Sequence, residues 1–181
     1  MAKHILIIST SLRKDSNSGA LADAFAKGAQ AAGHSVEQVS LSGKTIQFCK
    51  GCLACQKTRS CVLADDAGAI VEQMLRADVI AFATPIYFYE MAGQMKTLLD
   101  RSNPAYASQY RFRDIYLLAT AADPDPAAVD GAAQGLAGWI ACFAETRLAG
   151  VVRGVGADAP GAVKALAGAL EEAYEMGKAV S

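Results

Sequence analysis

The sequence lacks an excess of charge of either sign and lacks long apolar runs. Its 181 residues carry 17 basic and 18 acidic side chains, for a net charge of -1, so it has no basic stripe for nucleic acid. No apolar stretch approaches the roughly 20 residues of a membrane span. The N-terminal MAKHILIISTS contains only a short apolar run, whereas a secretory leader needs about 7–15 apolar residues. We therefore expect a cytoplasmic protein that binds neither nucleic acid nor membranes.

Linkers and internal repeats are also missing. No Pro/Ser-rich or charged segment divides the chain. With 52 % hydrophobic and 19 % charged residues, the chain is long enough to bury one full-sized core. We expect a single domain over residues 1–181.

Apolar runs of strand length alternate with segments of helical period. The predicted strands are His4–Ser9, Ser35–Leu41, Asp78–Ala83, Asp114–Ala121 and Thr146–Val152. The predicted helices are Asn17–Ala32, a segment capped by Asp65 and Asp66, Met91–Arg101, Pro126–Phe143 and Pro160–Ala179. This alternation predicts a parallel sheet with helices on both faces. Ligands of such sheets bind beyond the carboxyl ends of the strands, here in the loops after Ser9, Ala83 and Ala121.

The loop after the first predicted strand, STSLRKDSNSGAL, is dense in hydroxyl and amide side chains. Arg13 lies among them, and a helix N-terminus follows. Hydroxyls, a guanidinium and a helix start suit a phosphate monoester. The loop matches neither the P-loop nor the G-x-G-x-x-G pattern. The plainer alternative is that Ser16–Ser18 only cap the helix.

The loop after the third predicted strand begins with Thr84-Pro85 and continues with the bulky segment Ile86–Tyr89. Pro85 cannot donate to a sheet ladder, so the strand is expected to stop there. A flat heteroaromatic ring could lie against the apolar and aromatic surface that follows. Alternatively, a neighbouring subunit covers this surface. Both interpretations can hold together.

Four of the five cysteines lie in one thirteen-residue segment, CKGCLACQKTRSC, with the spacing C-x2-C-x2-C-x5-C. Thiolates select zinc, Cu(I) or iron-sulfur clusters, and in a reducing compartment such a group indicates metal or redox chemistry rather than disulfides. Three interpretations remain open: a [4Fe–4S] cluster, thiols without metal, and structural zinc. Cys142, in the apolar segment WIACF, is predicted to be a core residue.

Together these motifs resemble the flavodoxin-like NAD(P)H:FMN reductases, and in particular their iron-sulfur flavoprotein branch. The family pattern G-S-x-R-x-x-S-N-T appears as Thr10–Ser18, with Thr10 replacing the glycine and Ser18 the final threonine. A second pattern, T/S-P-x-Y-[FW] and then M/L-K-x-x-x-D-R, appears at Thr84–Phe88 and Met95–Arg101. The cysteine spacing followed by two aspartates is the third. The similarity is distinctive up to about Arg101 and general beyond it.

The resemblance implies a flavodoxin-like three-layer α/β/α sandwich whose five-stranded parallel sheet has the order 2-1-3-4-5. It implies an FMN-dependent oxidoreductase with NAD(P)H as co-substrate, in which hydride passes to flavin N5 and no side chain acts as acid or base. The electron acceptor would be a quinone, another small molecule or a protein, and the assembly a homodimer or homotetramer. The alternatives are a non-enzymatic flavodoxin-type electron carrier and a flavin-free domain with a zinc loop.

The resemblance also assigns site residues. The FMN phosphate would be held by Ser11, Arg13, Ser16, Asn17 and Ser18. The isoalloxazine would be lined by Pro85, Ile86, Tyr87 and Phe88, and a third wall would come from Thr120, Ala121, Ala122 and Asp123. A [4Fe–4S] cluster near the FMN would be held by Cys49, Cys52, Cys55 and Cys61.

Overall fold

Five parallel strands form the centre of the protein, and the computed structural model describes all residues from Met1 to Ser181. The strands are β1 (His4–Ser9), β2 (Ser35–Ser40), β3 (Val79–Tyr87), β4 (Glu90–Met91), β5 (Asp114–Thr120) and β6 (Arg147–Gly154). The parallel strands lie in the order β2-β1-β3-β5-β6, and the short β4 pairs antiparallel with the end of β3. The predicted order of the five long strands is confirmed, and the β3–β4 hairpin is added to it. The expectation that the third strand stops at Pro85 is wrong, because β3 continues to Tyr87 and pairs there with β4.

The helices match the predicted positions with two differences. They are α1 (Asn17–Ala31), α2 (Ala54–Thr58), α3 (Asp66–Arg76), α4 (Gly93–Arg101), α5 (Asp130–Ile140) and α6 (Ala169–Lys178). The first difference is α2, a helix of five residues within the cysteine segment, which is too short to show a periodic pattern. The second is that the predicted helix Pro160–Ala179 is broken, because Gly168 has a φ of 87° and only a 3₁₀ turn, Ala162–Ala165, precedes it. None of the helices has the length and hydrophobicity that crossing a membrane requires.

Side chains of the central strands alternate between two apolar cores. Leu6 and Ile80 belong to the core that α3, α4 and α5 cover. Their neighbours Ile5 and Val79 belong to the core beneath α1 and α6. This alternation follows from the two-residue period of a strand, and it explains why these strands are apolar at every position.

Helices α1 and α6 pack together with their backbones in contact. A Cβ atom on Gly28 would lie 1.9 Å from the carbonyl oxygen of Tyr174, and one on Gly177 would lie 2.1 Å from that of Phe25. Neither position has room for any side chain. This close approach fixes the axis of α1, whose N-terminus opens at the carboxyl edge of the sheet.

The strand register gathers the predicted ligand loops at one edge of the sheet. Ser9 pairs with Ala83 across β1 and β3, and Pro85 pairs with Thr120 across β3 and β5. Gly154, at the end of β6, pairs with Thr120 as well. The loops after β1, β3, β5 and β6 therefore leave the sheet side by side.

Candidate functional site

The loop after β1 is held in place by its own hydroxyl groups. Thr10 is fully buried, and its Oγ1 donates to the carbonyl oxygen of Ala83 at 3.1 Å. A threonine therefore fits where the family pattern has glycine. Ser16 is the N-cap of α1, and its Oγ accepts a hydrogen bond from the Gly19 amide at 3.1 Å. The Oγ of Ser11 accepts from the Arg13 amide at 3.3 Å. These bonds shape the loop and leave the guanidinium of Arg13 uninvolved.

A cavity of about 140 Å³, the first-loop pocket, brings most of the predicted cofactor residues together. Its lining includes Ser11, Arg13, Ser16, Asn17, Pro85, Ile86, Tyr87, Thr120 and Ala122. Four predicted residues lie outside it. Ser18 and Ala121 are buried in the fold, Phe88 is fully exposed, and Asp123 accepts a hydrogen bond from Tyr89. The pocket also contains four residues that the sequence did not indicate, Asp15, Ala157, Asp158 and Pro160.

The side chain of Asn17 makes three hydrogen bonds within the chain. Its Nδ2 donates to the carbonyl oxygens of Ala157 at 3.1 Å and Ala159 at 2.8 Å. Its Oδ1 accepts from the Val163 amide at 3.2 Å. Because both ends of the amide are engaged, Asn17 ties the loop after β6 to the start of α1. The side chain shapes the pocket and has little capacity left to hold a ligand.

Positive and negative groups meet in the first-loop pocket. Arg13 is exposed, and its guanidinium pairs with no carboxylate of the chain. The first amides of α1 have no intrahelical acceptor and carry the positive end of the helix dipole. Asp15 and Asp158 line the same cavity and oppose an anion there. Arg13 is therefore the one cationic side chain of the pocket lining.

The β3–β4 hairpin places two aromatic residues in a strained turn. Phe88 and Tyr89 have φ values of 51° and 63°, a pair of left-handed conformations that two-residue hairpins usually give to Asn-Gly. Such conformations cost about 1–3 kcal/mol each and persist only when surrounding contacts impose them. Two contacts do so here. The Tyr89 hydroxyl donates to Asp123 Oδ2 at 2.9 Å, and Gly131 of α5 allows close approach because its Cβ would lie 2.3 Å from the Tyr89 carbonyl oxygen.

The Tyr89–Asp123 bond also shifts the acidity of both groups. The Asp123 carboxylate raises the pKa of the Tyr89 phenol, because it accepts a hydrogen bond from the protonated phenol and repels the phenolate. The pKa of Asp123 lies below its usual range because the Asp125 amide and the Tyr89 hydroxyl both donate to it. The turn is therefore fastened to the loop after β5 at neutral pH.

The chemistry of the first-loop pocket fits a phosphorylated cofactor with an aromatic ring, as in FMN. One end supplies hydroxyls, the free guanidinium of Arg13 and the start of α1. The other end supplies the apolar surface of Pro85, Ile86 and Tyr87. Tyr87 also lines an adjoining apolar groove of about 530 Å³ with Leu12 and other residues. The first-loop pocket and this groove share Tyr87, so the space available to a ligand is larger than the pocket alone.

All four cysteines of the segment line a second cavity, the cysteine cavity. Cys55 is buried, Cys61 is partly exposed, and Cys49 and Cys52 are exposed. The cavity measures about 20 Å³, enough for about one water molecule. The side chains do not form a preassembled metal-binding group. The donor set of four thiols fits an iron-sulfur cluster. Cys142 is exposed, so the prediction that it is a core residue is wrong.

Several groups that surround the cysteines donate to sulfur. The amide of Gly51 lies 3.5 Å from Cys49 Sγ, and Asn103 Nδ2 lies 3.9 Å from the same atom. Arg101 Nη2 donates to Cys61 Sγ at 3.4 Å. Burial raises the pKa of the Cys55 thiol, and the proximity of the other three cysteines raises it further. Hydrogen bonds to sulfur and exclusion of solvent are means by which proteins tune iron-sulfur clusters.

Arg101 is a site residue whose role the sequence did not reveal. Its side chain is fully buried and forms a bidentate ion pair with Asp65, with distances of 2.6 and 2.9 Å. Asp65 is also the N-cap of α3, accepting from the Ala67 amide at 3.1 Å. Burial by itself would raise the pKa of Asp65, but the hydrogen bonds from Arg101 and from the amides of Gln47 and Ala67 lower it below the usual range.

Sequence comparisons identify relatives over most of the chain. The family model described as NADPH-dependent FMN reductase matches residues 4–147. An iron-sulfur flavoprotein of Archaeoglobus fulgidus is 35% identical over 92 residues, which are 51% of this chain and 42% of that protein. The iron-sulfur flavoprotein of Methanosarcina thermophila is 37% identical over 95 residues, 52% of this chain and 50% of that protein. The chain thus spans about half the length of the curated relatives that it matches.

Solved structures share the fold over nearly the whole chain. The NAD(P)H:quinone oxidoreductase from Methanothermobacter marburgensis superposes with a TM-score of 0.75 at 17% identity, covering 100% of both chains. An azoreductase from Bacillus anthracis gives a TM-score of 0.71 at 17% identity, covering 99% of this chain and 100% of that one. At this level of identity the likeness concerns the fold alone.

Proposed function

The chain belongs to the NADPH-dependent FMN reductase family, and from this premise we propose that it is an FMN-dependent NAD(P)H oxidoreductase. The electron acceptor would be a quinone, another small molecule or a protein. The cysteine segment would hold a [4Fe–4S] cluster, which would supply single-electron transfer. The observation that carries the proposal is the first-loop pocket. It joins a free arginine at a helix start to an apolar wall at the carboxyl edge of the sheet.

In this proposal the chain's residues bind and orient the cofactor. The guanidinium of Arg13, the hydroxyls of Ser11 and Ser16 and the start of α1 hold the phosphate. The apolar wall of Pro85, Ile86 and Tyr87 would face the flat ring and exclude water from it. Thr120 and Ala122 close the side next to β5. When bound, FMN supplies the hydride and single-electron chemistry, so no side chain is needed as acid or base.

The four cysteines are the proposed cluster ligands. Cys49, Cys52, Cys55 and Cys61 line one cavity, and relatives that match about half of this chain carry the name iron-sulfur flavoprotein. Soft thiolates favour such a cluster over magnesium or calcium. The same ligands also suit zinc, so the metal must be identified by experiment.

An anaerobic absorption spectrum with iron counted per FMN tests both parts of the proposal. We expect flavin bands together with broad absorbance at about 400 nm and about four irons per FMN. Cys52→Ser should lose the iron and keep the flavin, whereas the matched control Cys142→Ser should keep both. A colourless protein with bound zinc would contradict the flavin assignment. Flavin without iron in protein never exposed to air would contradict the cluster alone.

Steady-state oxidation of NADPH or NADH with ferricyanide or a quinone tests the enzymatic activity. Turnover that requires bound FMN is expected. Flavin-loaded protein that exchanges single electrons rapidly but does not oxidise NAD(P)H would instead be a flavodoxin-type carrier.

We also propose a homodimer or homotetramer that covers the β3–β4 hairpin. Phe88 is fully exposed at the tip of the strained turn, and large exposed apolar groups commonly mark interfaces. Light scattering of the purified protein should give a mass above that of one chain, and Phe88→Ser should reduce it. A monomeric wild-type protein would contradict this assembly.

A further inference from the structure

One arginine connects both ends of the cysteine segment. Arg101 Nη1 donates to the carbonyl oxygen of Gln47 at 2.8 Å, two residues before the first cysteine. Its Nη2 donates to the carbonyl oxygen of Leu63 at 3.4 Å, two residues after the last. The Asp65 carboxylate accepts hydrogen bonds from both terminal nitrogens, Nη1 and Nη2. A single side chain thus fixes the point where the segment leaves the fold and the point where it returns.

The same arginine also contacts the cysteine cavity directly. Outside the segment, its lining consists of Val62 and Leu63, which follow the last cysteine, and of Asp100, Arg101, Asn103 and Pro104. Arg101 Nη2 donates to Cys61 Sγ, and the short helix α2 packs against the 3₁₀ turn Asn103–Ala107. The C-terminal end of α4 and the turn after it therefore form the floor on which the cysteines rest.

Helix α4 links this floor to the first-loop pocket. At its start, the Ala92 amide donates to the buried Oγ1 of Thr84 at 3.1 Å, next to Pro85 of the pocket wall. At its end lies Arg101. The helix has nine residues, and a helix rises about 1.5 Å per residue. It is a short, rigid spacer with the pocket wall at one end and the cysteine cavity at the other.

The cysteine segment itself needs such support. Leu53 and Arg59, on either side of α2, both have φ values of 58°. Left-handed conformations are unfavourable for these residue types, and they persist only where contacts impose them. Two exposed cysteines and a five-residue helix supply few contacts within the segment. The long-range bonds of Arg101 supply what the segment lacks.

We propose that Arg101 is a positioning residue that clamps the cysteine segment onto α4 and holds its four thiols in a fixed place relative to the first-loop pocket. The inference that Arg101 clamps the segment rests on the contacts described above and does not depend on what the cysteines bind. Its effect on iron rests on the proposed function. The planar fork of arginine is required, because four acceptors in different directions share its terminal nitrogens. Arg101 Nε has no hydrogen-bond partner, so the side chain's bonds are concentrated on the segment.

Thiol labelling of the iron-free, full-length protein tests the clamp without any metal. The variants are Arg101→Lys, which keeps the charge facing Asp65 but loses the fork, and the double variant Arg101→Met with Asp65→Asn, which leaves no buried charge unpaired. Lys96→Met, on the exposed face of α4, is the matched control. Alkylation by N-ethylmaleimide is followed cysteine by cysteine by mass spectrometry, and circular dichroism confirms that each variant is folded.

Buried Cys55 is the reporter, and exposed Cys142 is the internal reference. In both Arg101 variants Cys55 should react about tenfold faster or more, because the segment opens more often. Cys142 should react at the wild-type rate, as should every cysteine of Lys96→Met. Unchanged Cys55 reactivity in a folded Arg101→Lys protein would overturn the proposal. Equal acceleration of Cys55 and Cys142 would overturn it too, since that pattern indicates general destabilisation.

Anaerobic reconstitution with iron and sulfide then separates this inference from the proposed function. If the wild type binds iron, Arg101→Lys should bind less than half as much and show a changed spectrum while retaining FMN. Equal iron and an identical spectrum would overturn the positioning role. If the wild type binds no iron, the cluster assignment fails, and the labelling result alone decides whether Arg101 is a clamp.

Discussion

The first-loop pocket and the cysteine cavity are built in opposite ways. In the first, Ser11 and Ser16 bond to amides two and three residues away, so local bonds set the loop shape. In the second, Arg101 bonds to Cys61 and Asp65, 40 and 36 residues away in sequence. The difference shows that a loop before a long helix can organise itself, whereas an irregular cysteine segment depends on a buried residue from elsewhere.

The largest effect is expected when the long-range support from Arg101 is removed. Arg101→Met should lower the free energy of unfolding by about 3–5 kcal/mol, because it leaves the Asp65 carboxylate buried and unpaired. The exposed pair of Lys96 and Asp100 provides the control, since Lys96→Met should cost less than about 1 kcal/mol. Urea unfolding measures both. Similar losses for the two variants would mean that the buried pair is not a special support.

The next effect concerns the local site. Arg13→Ala should weaken FMN binding by about 2 kcal/mol, or about 30-fold in Kd, because a charge-assisted bond to phosphate is lost. The free energy of unfolding of this variant should hardly change, since the Arg13 side chain is exposed. Lys14→Ala, one residue further along the loop and outside the pocket lining, is the control. Flavin fluorescence titration gives both affinities, and an unchanged Kd for Arg13→Ala would remove the phosphate assignment.

A smaller effect is expected where the hairpin packs on α5. Gly131→Ala gains about 1 kcal/mol of helix propensity but meets the Tyr89 carbonyl oxygen, a clash that typically costs about 1–3 kcal/mol. We expect a net loss of about 1 kcal/mol. Gly138→Ala, in the same helix with open space around its Cβ, should gain about 0.5–1 kcal/mol. If both variants gain stability in thermal unfolding, the strained turn is not held by α5.

The smallest effect concerns the hydrogen bond that fastens the turn. Tyr89→Phe should raise the pKa of Asp123 part of the way toward its ordinary value, because the Asp125 amide still donates to the carboxylate. The carboxylate would then take up a proton at a higher pH than in the wild type. A carbon-13 NMR titration of the Asp123 side chain measures this shift. A fall in that pKa would contradict the observed bond.

The sequence was most informative where neighbouring residues interact. The order of the five long strands is confirmed, Ser16 caps α1, and nine of the thirteen predicted cofactor residues line one pocket. Failures came where distant parts meet. Asp158 follows a strand with a weak pattern, and Phe88 turns away from the pocket because of the unexpected hairpin. The exposure of Cys142 depends on where α5 ends.

By itself, the sequence determined the alternation of strands and helices, the polar first loop and the spacing of four cysteines. These features arise from side-chain periodicity and from hydrogen bonds between near neighbours. Only the tertiary structure decided that Asn17 ties down the loop after β6 and that Arg101 joins both ends of the cysteine segment. Such roles depend on which distant donors and acceptors are buried together, because a buried polar group must find its partner wherever the fold brings one.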